Sequence, residues 1–116
     1  MIAEAMATLA RSTTVEVLYF TGCPSYEALM PRLARIMSEG RLDPEAVELR
    51  HVGSDAVARD ARFLGSPSVR VDGIDVEPGA GDRADFGMKC RLYEFNGRRR
   101  GTPPDAWLRA ALRRAD

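Results

Sequence analysis

Cysteine and histidine are scarce in this chain of 116 residues, which contains two cysteines and a single histidine, His51. Two cysteines are too few for the disulfide framework that holds together many small secreted proteins. No residues near His51 in the sequence complete a set of metal ligands, and a histidine on a predicted edge strand is more often a surface residue than a base. We therefore expect a cytoplasmic protein without a bound metal, in which any disulfide is transient.

Excess charge and long apolar runs are also lacking. Seventeen basic residues balance seventeen acidic ones, and zero net charge argues against a general affinity for nucleic acid or for a membrane surface. No apolar run approaches the roughly 20 residues that span a bilayer, and the N-terminus has no basic segment of the kind that begins a signal peptide. The length predicts one domain at 14–116, after an N-terminal arm or short helix at 1–13.

What the chain does contain is a regular alternation of strand and helix patterns. β-Branched and aromatic runs predict strands, and apolar residues at helical spacing predict helices. The predicted strands are 15–20, 46–52, 68–71 or 68–76, and 89–95, and the predicted helices are 24–38, 54–64 and a last one that begins after Thr102. Asp72-Gly73 is either a turn or a bulge, and Asn96-Gly97 is typical of a hairpin turn.

The order of these elements, β-α-β-α-β-β-α, predicts the fold class. Right-handed crossovers make the first two strands parallel, and a hairpin makes the last two antiparallel. The chain should therefore form an α/β domain, with a four-stranded mixed sheet and helices on both faces.

Cys23 stands on the predicted turn between the first strand and the first helix, within Gly22-Cys23-Pro24. A helix N-terminus carries a partial positive charge and unpaired N–H groups, both of which stabilise a thiolate. The position therefore predicts a reactive thiol. The alternative is a buried cysteine that packs as a small hydrophobic residue, which is common for free cysteines.

Three local features make the chain resemble the thioredoxin/glutaredoxin-like fold over residues 15–115. They are Gly22-Cys23-Pro24-Ser25-Tyr26 in the place of a Cys-x-x-Cys motif, Pro31 in the place of a helix-kinking proline, and Gly65-Ser66-Pro67-Ser68 in the place of a cis-proline segment. A narrower resemblance is to small bacterial thioredoxin-like proteins with a Tyr-Phe-x-Gly-Cys-Pro start, some of them labelled alkylmercury lyase. It rests on the sequences at 19–24, 65–73 and 90–93.

The resemblance implies a site built around the thiol. Cys23 would be the nucleophile, and Pro67 would follow a cis peptide bond, with an ordinary trans turn as the alternative. The backbone of Ser66 would pair with an extended peptide or with glutathione. The other positions that the resemblance assigns to substrate binding are Gly22, Pro24 and Tyr26.

Tyr26 occupies the position of the second cysteine of the motif. Its hydroxyl would donate to the Cys23 sulfur, or its ring would simply begin the packed face of the helix. Without a second cysteine the local dithiol cycle cannot run, so the chain is similar to monothiol glutaredoxins, in which a separate thiol resolves a mixed disulfide.

Cys90 is the only other thiol. It would resolve the mixed disulfide of Cys23 or complete a mercury-binding pair, and the alternative is a strand residue packed in the sheet. If 89–95 is the fourth strand, its start lies about 15–20 Å from Cys23 at roughly 3.3 Å per residue. A disulfide needs Cα atoms within about 7 Å, so direct pairing requires the loop at 77–88 to fold back.

Three functions fit these residues. The first is a thioredoxin-like single-cysteine thiol–disulfide protein that forms a mixed disulfide through Cys23, with a disulfide-bearing protein or glutathione as partner and no resident cofactor. The second is a non-catalytic binding scaffold in which Cys23 is incidental. The third is mercury or organomercurial handling by Cys23 and Cys90. The run Arg98-Arg99-Arg100 is either an anion contact, such as one for a glutathione carboxylate, or a solvated turn.

Overall fold

The computed structural model describes residues 13–115, so most of the predicted arm or helix at 1–13 lies outside the described residues. Strands and helices alternate through the first half of this range, as predicted. The elements in chain order are β1 (Val15–Tyr19), α1 (Pro24–Glu39), a 3₁₀ turn (Pro44–Ala46), β2 (Glu48–His51), α2 (Asp55–Asp60), β3 (Ser68–Val71), β4 (Ile74–Asp75), a second 3₁₀ turn (Ala80–Asp82), β5 (Tyr93–Phe95), β6 (Arg98–Arg100) and α3 (Asp105–Ala115).

Four strands form a mixed sheet in the order β2-β1-β3-β4. β1 pairs in parallel with β2, where Val17 lies opposite Leu49. It pairs antiparallel with β3, where Val17 lies opposite Val69. The predicted four-stranded mixed sheet and the parallel first pair are therefore confirmed, and β2 is an edge strand on which His51 is exposed.

Helices cover both faces of this sheet because the buried residues of β1 point alternately to each side. Val15 and Val17 belong to one apolar cluster, which also contains buried residues of α1 and α3. Leu18 points the other way and belongs to a second cluster with Ala58 of α2 and with Phe63. β1 is therefore packed on both faces, and the chain turns from its end into α1.

The fourth strand of the sheet is not the predicted segment 89–95 but β4. Asp72 and Gly73 both have left-handed backbone, with φ of 52° and 80°, so they form a two-residue hairpin turn. The chain reverses at once after Val71, which pairs with Ile74. The turn alternative for Asp72-Gly73 is thus confirmed, and the prediction for 89–95 is wrong.

Only the end of the predicted fourth strand is extended in a ladder, as β5, and it pairs with β6 in a separate two-stranded sheet. Asn96 and Gly97 connect the two strands with φ of 53° and 76°, which confirms the predicted hairpin turn. Phe95 lies opposite Arg98 beside this turn. The hairpin leads the chain into α3.

α2 is shorter than the predicted helix at 54–64. Ser54 caps its start as predicted, because its Oγ accepts a first-turn N–H at 3.2 Å. Arg62 then takes a left-handed φ of 55°, and the Phe63 N–H donates to the Ala58 carbonyl at 2.8 Å. This is a Schellman-type ending built on arginine instead of glycine. After this helix end Phe63 is buried in the core, and the chain continues towards Ser66.

Candidate functional site

Cys23 lies between β1 and α1, as the sequence predicts, and is the N-terminal flanking residue of α1. Gly22 supplies the left-handed turn before it, with φ of 90°, and Pro24 begins the helix. The Cys23 side chain is only 4% exposed. Its Sγ donates a hydrogen bond to the Ser66 carbonyl oxygen at 3.6 Å, so the thiol points at the segment before β3.

Ser66 is completely buried and its surroundings are fixed by hydrogen bonds. The Ser66–Pro67 peptide bond is cis, as the resemblance implies. The Ser66 Oγ accepts the Phe20 N–H at 3.3 Å, and the Tyr93 hydroxyl donates to the Pro67 carbonyl at 2.5 Å. The carbonyl that meets the Cys23 thiol is therefore held between the end of β1 and the start of β5.

Cys90 lies directly beside Ser66, as its partner in an isolated parallel bridge. The Ser66 N–H donates to the Lys89 carbonyl at 2.8 Å, and the Arg91 N–H donates to the Ser66 carbonyl at 3.0 Å. One carbonyl oxygen thus accepts both the Cys23 thiol and the amide that follows Cys90. The sequence predicts about 15–20 Å between Cys23 and Cys90 if 89–95 runs along the sheet as a strand at about 3.3 Å per residue. That prediction is wrong, because Cys90 lies beside Ser66.

The physical reason is that the chain folds back after β4. Instead of running out along the sheet, residues 77–88 return it to Ser66, and both cysteines flank that residue. The Ser66 backbone groups that the resemblance assigns to an extended peptide or glutathione are, in consequence, bonded to Lys89 and Arg91 of the same chain. Cys23 and Cys90 are both free thiols.

Gly65 makes this return possible. It has a φ of 126°, and a Cβ built on it would lie 2.9 Å from the Arg91 Cβ and 3.0 Å from the Lys89 carbonyl oxygen. Side chains do not approach so closely, and only glycine adopts this backbone without strain. The close pairing of Ser66 with Cys90 therefore requires a glycine before Ser66.

Arg91 anchors the segment at 89–91, which we call the returning segment. Its side chain is buried, and its guanidinium forms two hydrogen bonds to Asp75 at 2.7 and 2.9 Å and one to the Ser68 Oγ at 2.8 Å. It also lies over the Tyr93 ring at 4.4 Å from the centroid. Burial lowers the pKa of Arg91, but hydrogen bonds and charge from Asp75 outweigh it, so the pKa is raised and the group stays charged.

Asp75 and Glu77 complete the anchor from the end of the β3–β4 hairpin. Glu77 lies 3.4 Å from Arg91 and 2.9 Å from Arg83. Reading the sequence missed this polar cluster, because no pattern links Arg91 to an acid sixteen residues earlier. The one local indication in the sequence is Gly65, which directly follows the predicted helix at 54–64 and allows the close approach of Lys89 and Arg91.

The ring of Tyr26 packs against a neighbouring ring, which is the alternative to a hydrogen bond from its hydroxyl to the Cys23 sulfur. Its ring stacks on Tyr19, with centroids 4.3 Å apart and planes at 12°. Burial raises the pKa of Tyr26, and the neighbouring Tyr19 and Glu27 raise it further. His51 meets the Tyr19 ring edge-on at 5.5 Å, and its Nε2 lies 3.1 Å from the Thr21 hydroxyl. These rings support the β1–α1 turn from the side.

Arg98 and Arg100 face an open cavity of about 810 Å³ between the β5–β6 hairpin and the start of α3. Arg99 pairs with Glu94 at 3.3 Å. Gly101, which follows β6, packs directly on Ser25 in the first turn of α1. The arginine run is therefore exposed and lies on the chain segment that leads to the helix end beside Cys23.

Comparison of the chain with protein-family models, curated proteins and solved structures finds no significant match. None of the described helices is long and apolar enough to cross a membrane. Within residues 13–115, no three histidine, cysteine, aspartate or glutamate side chains are arranged to hold a metal ion.

Proposed function

We propose that the chain is a thioredoxin-like thiol–disulfide exchange protein in which Cys23 and Cys90 interconvert between two thiols and one disulfide. A single observation carries the proposal: the Cys23 thiol contacts the Ser66 carbonyl, and Cys90 is the bridge partner of Ser66. The thiol that the sequence lacks at position 26 is thus supplied from the returning segment at 89–91.

The environment of Cys23 supports a reactive role for it. It lies at the N-terminus of a helix of sixteen residues, the position that the resemblance assigns to the nucleophile. The β-α-β arrangement around it, with a parallel pair of strands, is compatible with the thioredoxin-like fold that the sequence resembles. That family assignment is part of the proposal.

The proposed reaction exchanges a disulfide between the chain and a partner. A thiolate of the chain bonds to one sulfur of the partner's disulfide, and the other partner sulfur leaves and takes up a proton. The second thiolate then bonds to the first cysteine and releases the partner as a thiol. The partner gains two electrons, which the cysteine pair loses on forming its disulfide.

The partner is a disulfide-bearing protein or glutathione. Arg98 and Arg100 offer guanidinium groups of the kind that bind carboxylates in pairs of hydrogen bonds, and β6 leads into Gly101 beside the first turn of α1. Glutathione carries two carboxylates, so we include it as a candidate co-substrate.

Oxidation followed by mass spectrometry tests the proposal. Incubated with oxidised glutathione, the wild-type chain should lose two hydrogen atoms in mass and yield a peptide pair linked through Cys23 and Cys90. Cys23→Ser and Cys90→Ser are matched controls, and each should instead retain a glutathione adduct on its remaining thiol. A wild-type chain that stays fully reduced, or that ends with glutathione on both cysteines, would contradict the proposal.

Mercury handling is a second candidate that the same observation favours. Soft thiolate ligands suit soft metal ions, and the two thiols beside Ser66 would serve as the pair of ligands. Oxidised glutathione distinguishes the candidates: both predict that one Hg²⁺ ion bridges the two thiols, but only mercury handling predicts that no Cys23–Cys90 disulfide forms under oxidised glutathione. The scaffold alternative predicts that Cys23→Ser leaves cellular function intact.

A further inference from the structure

The two thiols differ sharply in access to solvent. Cys23 is only 4% exposed, whereas Cys90 is exposed. Thiol–disulfide exchange requires the attacking sulfur to lie in line with both sulfurs of the partner, so access helps to decide which thiol reacts first. A disulfide flanked by polypeptide is bulky, and a nearly covered sulfur at a turn is a poor first contact for it.

The exposure of Cys90 follows from the way its segment is held. Arg91 and Tyr93 are both buried, at 1% exposure each, while Cys90 and Leu92 are exposed. This alternation is that of an extended chain with one face inward. The inward face is fixed by the Arg91 anchor, so Cys90 is presented outward from a firmly attached segment.

The backbone beside Cys90 is firmly attached as well. Lys89 and Arg91 pair with Ser66 on either side of it, and a Cβ at Gly65 would leave no room for that pairing. Cys90 therefore meets a partner without leaving its place in the bridge. Cys23 hydrogen-bonds to the carbonyl of Ser66, the bridge partner of Cys90, so both cysteines lie next to the same residue.

We propose that Cys90 attacks the partner's disulfide first and that Cys23 resolves the resulting mixed disulfide, an order that suits disulfides within polypeptide chains. The inference rests on the proposed function and names its substrate class. It reverses the order expected from the sequence, in which the thiol at the helix N-terminus forms the mixed disulfide.

The order balances chemically. The Cys90 thiolate bonds to one partner sulfur, the partner's disulfide breaks, and its second sulfur leaves as a thiolate that takes up the proton lost by Cys90. The Cys23 thiolate then bonds to the Cys90 sulfur, the bond from Cys90 to the partner breaks, and the partner leaves as a thiol. A covered resolving thiol is an advantage here, because no second bulky partner competes for it.

A single-turnover experiment with a defined probe tests the order. The probe is a synthetic peptide whose one cysteine forms a mixed disulfide with thionitrobenzoate, a coloured leaving group of low pKa. Cys23→Ser should still release colour but keep the peptide on Cys90, without the release of peptide thiol that the wild-type chain shows. Cys90→Ser should release colour at least about tenfold more slowly, because only the covered thiol remains.

A measurement on the wild-type chain guards against variants that fail to fold. Labelling with a maleimide on a polyethylene glycol chain, followed by peptide mapping, should modify Cys90 at least about tenfold faster than Cys23. Equal labelling, or a Cys90→Ser variant that reacts at the wild-type rate and carries the peptide on Cys23, would overturn the order.

The failure of the inference is distinguishable from that of the proposed function. If oxidised glutathione links Cys23 to Cys90 but the peptide is found on Cys23, the order is overturned and the exchange function stands. If neither oxidised glutathione nor the peptide produces a Cys23–Cys90 disulfide, the exchange function fails and the order is overturned with it.

Discussion

The two segments that meet at Ser66 are held by different forces. The β1–α1 turn with Cys23 lies between a strand with three buried apolar residues and a helix with four, so apolar burial fixes it. The returning segment with Cys90 is fixed by a buried guanidinium, two carboxylates and a glycine that admits a close backbone. Geometry at Cys23 is therefore a consequence of the core, whereas geometry at Cys90 depends on polar contacts that single substitutions can remove.

Arg91→Met should have the largest effect, because it leaves Asp75 partly buried without its cation, whereas Glu77 keeps Arg83. Breaking a buried ion pair from one side costs about 3–5 kcal/mol, which urea unfolding followed by fluorescence should detect. Arg99→Met is the matched control, since Arg99 pairs with Glu94 at the surface and should cost less than about 1 kcal/mol. Equal losses would mean that the return of the chain does not depend on the buried arginine.

Gly65→Ala should come next. The added methyl group meets Arg91 and Lys89 at 3.0 Å or less, so the bridge at Ser66 must open, at about 2–3 kcal/mol for backbone strain and overpacking. Gly79→Ala is the control, because Gly79 has a positive φ of 81° but open space around it, and should cost about 1 kcal/mol.

The rate of disulfide formation should also respond to the added methyl group at position 65. In Gly65→Ala, formation of the Cys23–Cys90 disulfide under oxidised glutathione should slow markedly, while Gly79→Ala should leave it unchanged. A Gly65→Ala protein that forms the disulfide at the normal rate would show that the bridge does not set the distance between the thiols.

Tyr93→Phe removes the hydroxyl that donates to the Pro67 carbonyl at 2.5 Å. The buried carbonyl loses its partner, so we expect a loss of about 1–2 kcal/mol in the free energy of unfolding. Tyr26→Phe keeps the ring that stacks on Tyr19 and should change stability by less than about 0.5 kcal/mol. A larger loss for Tyr26→Phe would point to a hydroxyl role near Cys23, the alternative that the sequence left open.

Asp105→Asn should have the smallest effect on stability, and its dependence on pH tests whether the contacts of Asp105 with arginines stabilise the fold. Burial raises its pKa, but hydrogen bonds from Arg32 and the nearby arginines outweigh this and lower it below 3.8. A lowered folded pKa gives stability that is present above the unfolded pKa and is lost as pH falls through the folded pKa. Asp105→Asn should therefore cost about 1 kcal/mol at pH 7, with the difference from wild type shrinking below pH 4. A difference that is constant between pH 7 and pH 2 would contradict this origin.

Local patterns explain how much of the fold could be predicted. β1 and α1 follow from apolar spacing, and Asn96-Gly97 is a hairpin turn that needs no distant partner. Cys23 was correctly placed for the same reason, because the strand and helix on either side are both evident in the sequence.

The rest depended on contacts between distant residues. Asp72-Gly73 was compatible with a turn or a bulge, and only the pairing of Val71 with Ile74 distinguishes the two. Once that turn forms, β4 takes the place expected for 89–95, and the position of Cys90 changes with it. The contact of Arg91 with Asp75 spans sixteen residues and has no periodic pattern, so extrapolating a strand from Cys90 placed this cysteine far from Cys23.

The arginines of β6 have a consequence for how copies of the chain behave together. A two-stranded sheet leaves strand edges that can template a strand of another molecule, and charged residues on an edge oppose such pairing. Arg98, Arg99 and Arg100 are all exposed on this strand, so two hairpins that approach edge to edge bring six guanidinium groups together. This repulsion weakens in concentrated salt, where charges are screened within about 3 Å at 1 M. We therefore expect edge-to-edge pairing of these hairpins to become easier as ionic strength rises.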